Sequence, residues 1–188
     1  MPGVILFSCT ETNSKPIHRL PMQVKRAVSR KHNGGSMVDI IHRVGIKASP
    51  EKVYSALTTL EGLAHWWTED TEGNAALGGA ITFSFRSPAG DLIGKMAMTV
   101  QELKAPDEVR WLCTEGPSDW LGTLITFQLS RQDNQTIVLF GHRNWAESTE
   151  FMAHCSMKWA TFLLSLRAYA EAGAGKPSPG DLKIDNWN

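Results

Sequence analysis

Residues 151–172 read FMAHCSMKWATFLLSLRAYAEA, and their spacing decides what the rest of the chain must be. Phe151, Cys155, Trp159, Phe162, Leu166 and Tyr169 recur at i, i+3/i+4 intervals over about five turns, which is the apolar stripe of one long amphipathic helix. Glu147 to Glu150 supplies caps and acidic residues at its start. Gly173 and Gly175 end it, with Pro177 beyond.

What precedes this helix alternates with period two. Val38 to Lys47 reads as a strand. Ser49 then caps a short helix with Pro50 at its first position. Val53, Tyr54, Leu57 and Leu60 carry that helix to about Thr58, Glu61-Gly62 breaks it, and Leu63 to Trp67 forms a second helical turn. Ile81, Phe83 and Phe85 share one face of the next strand. Ser87 to Asp91 turns, and Gly94, Met96, Met98 and Val100 share a face of the strand after it. Val109, Trp111 and Cys113 face inward on a further strand. Leu121, Ile125 and Phe127 do so on the run Leu121 to Leu129. After a turn at Asp133-Asn134, Thr136 to His142 is the last strand.

The order is one strand, two short helices, about six more antiparallel strands and one long helix, an α+β arrangement. A sheet with one apolar face needs a cover, and the long helix is the element left to provide it. A sheet of six or seven strands curves more than one helix can fill. A cavity between helix and sheet is therefore expected.

Bulk numbers exclude several classes. The 188 residues, 42% hydrophobic and 20% charged, suit one globular domain. Net charge is zero, yet residues 1–36 hold six basic residues and one acidic residue, leaving 13 basic and 18 acidic beyond, a net of −5. Such a body is poorly suited to nucleic acid. Cys9, Cys113 and Cys155 are an odd, scattered set without metal-ligand spacing, so neither a metal nor another cofactor is expected. Their use suits a reducing, cytoplasmic setting. No apolar run approaches the roughly 18 residues of a membrane span. Nucleophile-elbow, phosphate-loop and dinucleotide motifs are also missing. Residues 1–36 are expected to be a disordered basic leader, with Met37 the natural start or, alternatively, with the leader as a targeting arm. Residues 37–177 are expected to form the domain, and 178–188 a polar tail.

The segments SPEKVYSAL (49–57), HWWT (65–68) and MKWATFLLSLRAYAEAGAGKP (157–177) resemble the START-like SRPBCC superfamily, and within it the bacterial homologues of the heat-shock ATPase activator, the Aha-type family. The resemblance spans about residues 38–177. It implies a helix-grip fold, a curved antiparallel sheet gripping the last helix. It also implies binding of apolar small molecules or of a partner protein. A few superfamily relatives, such as polyketide aromatase/cyclases, are enzymes. The eukaryotic activator differs in carrying a second, N-terminal domain.

The expected cavity is lined by Trp66, Trp67, Phe83, Phe85, Met96, Met98, Trp111, Phe127, His142 and Trp159. Trp66 and Trp67 are adjacent, so one should close the core and the other shape the entrance. His142 shares parity with Val138 and Phe140 and should point inward as the main polar group. His65 is a second polar candidate, and Arg143 and Glu147 should make rim contacts. The leading expectation is binding of an apolar small molecule without catalysis. Two alternatives stand beside it. One is a cyclase- or hydrolase-like acid–base enzyme pairing His142 with Glu115. The other is a co-chaperone-type interaction module, as a homodimer or with a partner protein.

Overall fold

A computed structural model describes residues 25–26 and 37–187. The strands are β1 (Lys25–Arg26), β2 (Val38–Ile46), β3 (Asp70–Gly73), β4 (Ala80–Arg86), β5 (Leu92–Lys104), β6 (Glu108–Gly116), β7 (Leu124–Gln132) and β8 (Gln135–Trp145). The helices are α1 (Pro50–Thr58), α2 (Leu60–Trp66) and α3 (Glu150–Ala172). The sheet runs β2-β8-β7-β6-β5-β4-β3, every pair antiparallel, and α3 packs across its concave face. This is the helix-grip fold. Of the expected leader, only β1 falls within the described residues, where it pairs with Gly116 and Glu115 of β6.

Local chemistry sets the helix boundaries. The Ser49 side chain accepts from Lys52 N, and Pro50 occupies the first turn. Thr149 caps α3 by accepting from Met152 N at 3.1 Å. Gly173, left-handed at φ 77°, closes it. The break between α1 and α2 differs from expectation. It lies at Thr59, which is extended at φ −119° and accepts from Gly62 N. Glu61 and Gly62 are thus inside α2. Gly62 is there for space, since a Cβ would stand 2.7 Å from Ala56 Cα and 2.8 Å from Ala56 O.

Three strand boundaries also differ. β3 was not anticipated, because Asp-Thr-Glu-Gly has no apolar alternation and is held by backbone pairing to β4. β7 starts at Leu124, since residues 117–122 fold into turns closed by Trp120 N to Pro117 O and Thr123 N to Trp120 O. Leu121 is therefore outside the strand. β8 runs on past His142 to Trp145. In β5, bulges between Ala97 and Met98 and between Val100 and Glu102 bend the strand around the helix.

Gly62→Ala tests the close approach of α1 and α2. In an open helix the change would stabilise by roughly 0.5–1 kcal/mol. Here the backbone clash reverses the sign, and a loss of about 1–3 kcal/mol is expected. A urea midpoint at or above that of the unmodified protein would contradict it.

Candidate functional site

Most of the space inside the grip is filled by rings. Trp66 and Trp67 are both buried, at 0% and 1% exposure. Trp66 turns into the core and donates from Nε1 to Ala56 O at 3.0 Å. Trp67 stacks on Trp66 and Trp111, and lies 4.1 Å from Phe83 and 4.9 Å from Trp159 between ring centres. Trp159 reaches down from α3 to Phe140 at 4.6 Å and to Trp120 at 5.8 Å. Such contacts add directional preference to burial worth a few kcal/mol per indole.

A cavity of about 170 Å³ remains at one end of the grip. Of the ten residues expected around it, Trp67, Phe85, Met96 and Trp159 form part of its wall. Trp66, Phe83, Met98, Trp111, Phe127 and His142 lie instead in the packed core. The adjacent tryptophans thus divide, the first into the core and the second toward the void. The rest of the wall comes from Trp120 in the 117–122 turns, from Ile93 and Gly94 on β5, and from Phe151, Cys155 and Phe162 on α3. The α3 residues were legible as members of its apolar stripe. Trp120 was not, because a turn has no periodicity to betray an inward side chain.

His142 points inward, with both ring nitrogens occupied. Trp159 Nε1 donates to Nδ1 at 3.1 Å, so the proton sits on Nε2 and goes to Thr123 Oγ1 at 2.9 Å. Thr123 in turn donates to Trp120 O at 2.6 Å. Neither partner is a carboxylate, and burial pushes the imidazole pKa down to about 3. The chain Trp159–His142–Thr123–Trp120 fixes the Trp159 indole and the backbone at Trp120, two of the tryptophans of the pocket wall, and the expected pairing of His142 with Glu115 is not formed. His65 bonds Glu61 O and stacks on Tyr169. Arg143 bonds Asp39 and Thr126, away from the pocket, and Glu147 is exposed.

Two further groups bear on chemistry. Burial pushes the Cys155 thiol up to about 12, and Cys113 likewise, so neither is a nucleophile near neutrality. Trp120 Nε1 and Trp145 Nε1 are buried without a hydrogen-bond acceptor of sound geometry. The thiol of Cys155, beside Trp120 Nε1, is only a weak acceptor.

The residues after α3 do more than trail away. Ser178 bridges to Thr68 beside β3, exchanging bonds with Trp67 O and Glu69 N. The chain then returns along α3. Asp181 bonds Lys158, Asp185 bonds His154 at 2.6 Å, and the Trp187 ring closes part of the pocket mouth. Among the described residues, no helix is long and apolar enough to cross a membrane, and no cluster of three metal-ligating side chains forms.

Comparison with known proteins agrees with this architecture. The family model described as "Activator of Hsp90 ATPase homolog 1-like protein" matches residues 47–171. The Aha1 dimer from Colwellia psychrerythraea, solved in solution, is 49% identical, with a TM-score of 0.64 over 74% of this chain and 100% of that one. Protein BH1534 of Bacillus halodurans is 24% identical, with a TM-score of 0.56 over 73% of this chain and all of that one. CalU16 of Micromonospora echinospora is 18% identical, with a TM-score of 0.58 over 84% of this chain and 79% of that one. The last two are alike in fold. No curated protein matched the chain. The chain belongs to the Activator of Hsp90 ATPase homolog 1-like family.

The buried imidazole sets a pH dependence. His142 is neutral when folded, whereas the unfolded chain takes up its proton near the ordinary value of about 6.5. This contribution to stability is complete above roughly pH 6.5 and falls as pH drops toward about 3, with about 2 kcal/mol lost by roughly pH 5. Urea midpoints between about pH 7.5 and 4.5 check it against a His142→Gln chain, which should show the shallower decline. Parallel profiles would contradict the assignment.

Proposed function

We propose that this protein binds a small apolar molecule, of one or two aromatic rings, in the pocket between α3 and the sheet. The observation that carries this reading is the cavity of about 170 Å³ walled by Trp67, Phe85, Met96, Trp120, Trp159 and Phe162. An apolar cavity of about 150 Å³ is enough to hold benzene, so the volume favours a compact guest over a long lipid. A neutral His142 held within the core supports binding without acid–base catalysis. The free buried thiols Cys113 and Cys155 support a reducing compartment, the cytoplasm.

Thermal unfolding with added indole or naphthalene tests the reading. A bound guest must raise the midpoint as its concentration passes its Kd. Cys155→Leu, which pushes two more heavy atoms into the wall, should weaken indole binding roughly tenfold or more. No midpoint shift with either compound would overturn the proposal.

A second reading, self-association, is supported by the dimeric state of the Colwellia relative. On this chain the outer face of α3 exposes Met157 at 57% and Leu164 at 51%, an apolar pair two turns apart that a second copy could cover. Sedimentation equilibrium should find a dimer that Leu164→Glu converts to a monomer. A monomeric unmodified chain would dismiss this reading.

A further inference from the structure

The pocket mouth carries charge for which a purely apolar guest has no use. His154 and Lys158 lie one turn apart on α3, line the pocket, and have side chains only 12% and 14% exposed. Lys158 Nζ donates to the Asp181 carboxylate and to Leu182 O at 3.2 Å, and stands 4.9 Å above the Phe162 ring. His154 Nδ1 donates to Asp185 Oδ2 at 2.6 Å. An ammonium this sheltered from water is costly unless a carboxylate meets it.

Both carboxylates come from one short segment, residues 181–187. The same segment lays the Trp187 ring 5.2 Å from His154 and 6.3 Å from Phe151 at the pocket mouth. The fold therefore brings two carboxylates onto the two nitrogen donors that line an aromatic cavity, and the Trp187 indole onto the same wall. Resting on the reading that the pocket holds a small aromatic molecule, we infer that its guest is an aryl carboxylic acid, and that residues 181–187 are an internal stand-in which the acid displaces.

The arrangement explains why the donors sit where they do. The ring of an aryl acid fills the cavity, and its carboxylate takes the bonds to Lys158 and His154 that Asp181 and Asp185 release. A neutral aromatic enters without gaining those bonds. The tethered carboxylates compete at high effective concentration, so the segment sets the concentration at which the acid binds.

Calorimetry with indole-3-acetate and its neutral isostere indole-3-acetamide tests this in the full chain. In Asp181→Asn/Asp185→Asn the donors lose the negative charge of their internal partners, and indole-3-acetate should bind at least about tenfold more tightly than to the unmodified chain. It should also bind that variant about tenfold more tightly than indole-3-acetamide does, a preference that adding Lys158→Met abolishes. The unmodified chain gives an independent readout by NMR, in which indole-3-acetate should abolish the NOE between the Trp187 and His154 rings and indole-3-acetamide should preserve it. Equal binding of acid and amide to every variant, with Trp187 unmoved, overturns the inference and leaves the apolar pocket standing. Failure of both compounds and of indole to bind any variant overturns the pocket as well.

Discussion

Trp159 must meet two demands at once. Its ring has to fill the hollow of a sheet that one helix cannot fill alone, and its N–H has to find an acceptor there. His142 answers the second demand from the last strand at 3.1 Å, and can do so only as a neutral imidazole with its proton on Nε2. That requirement fixes the rest locally. Nε2–H needs Thr123 Oγ1, Thr123 needs Trp120 O, and Trp120 stacks back against Trp159. Helix, last strand and the 117–122 turns are tied by three hydrogen bonds in series, closed by a ring stack, inside an aromatic core. Removing one member would leave a buried polar group without a partner, which costs more than a bond contributes.

The circuit also positions the void. Trp159 and Trp120 are held apart from Phe85 and Met96, and the gap between them is the pocket. Trp159 cannot turn into it without giving up its bond to His142, nor can Trp120 without giving up its ring contacts with Trp159 and His142. A cavity lined by side chains free to repack would shrink, because close packing recovers dispersion contacts. This one persists because its walls are anchored from behind.

Much of the architecture was legible because periodicity reports which face is buried. The stripe Phe151, Cys155, Trp159, Phe162, Leu166 announced α3, and Ile81, Phe83, Phe85 announced β4. The sequence also led to a cavity, for the geometric reason that a curved sheet outsizes a single rod. It gave less help in choosing the lining. Met96 and Met98 share strand parity, yet one faces the void and the other the core, because position along the curved strand matters as much as face. Trp66 and Trp67 were separable only once α2 was seen to end at Trp66. The elements missed were those without alternation. β3 is charged and held by backbone, Trp120 sits in a turn, and residues 181–187 are polar and return to α3 through contacts that no local pattern encodes.

Ligand binding by this fold requires a guest in the space between Trp67, Met96 and Trp159. Intermolecular NOEs measured on the full chain with bound indole, its methionine methyls 13C-labelled, test it most directly. Met96 lines the cavity, Met98 lies in the core beyond it, and Met157 is on the outer face of α3. A guest in the pocket gives cross-peaks from its ring protons to the Met96 ε-methyl and none to Met157. Cross-peaks to Met157 with none to Met96 would place the guest on the surface and contradict binding in the pocket.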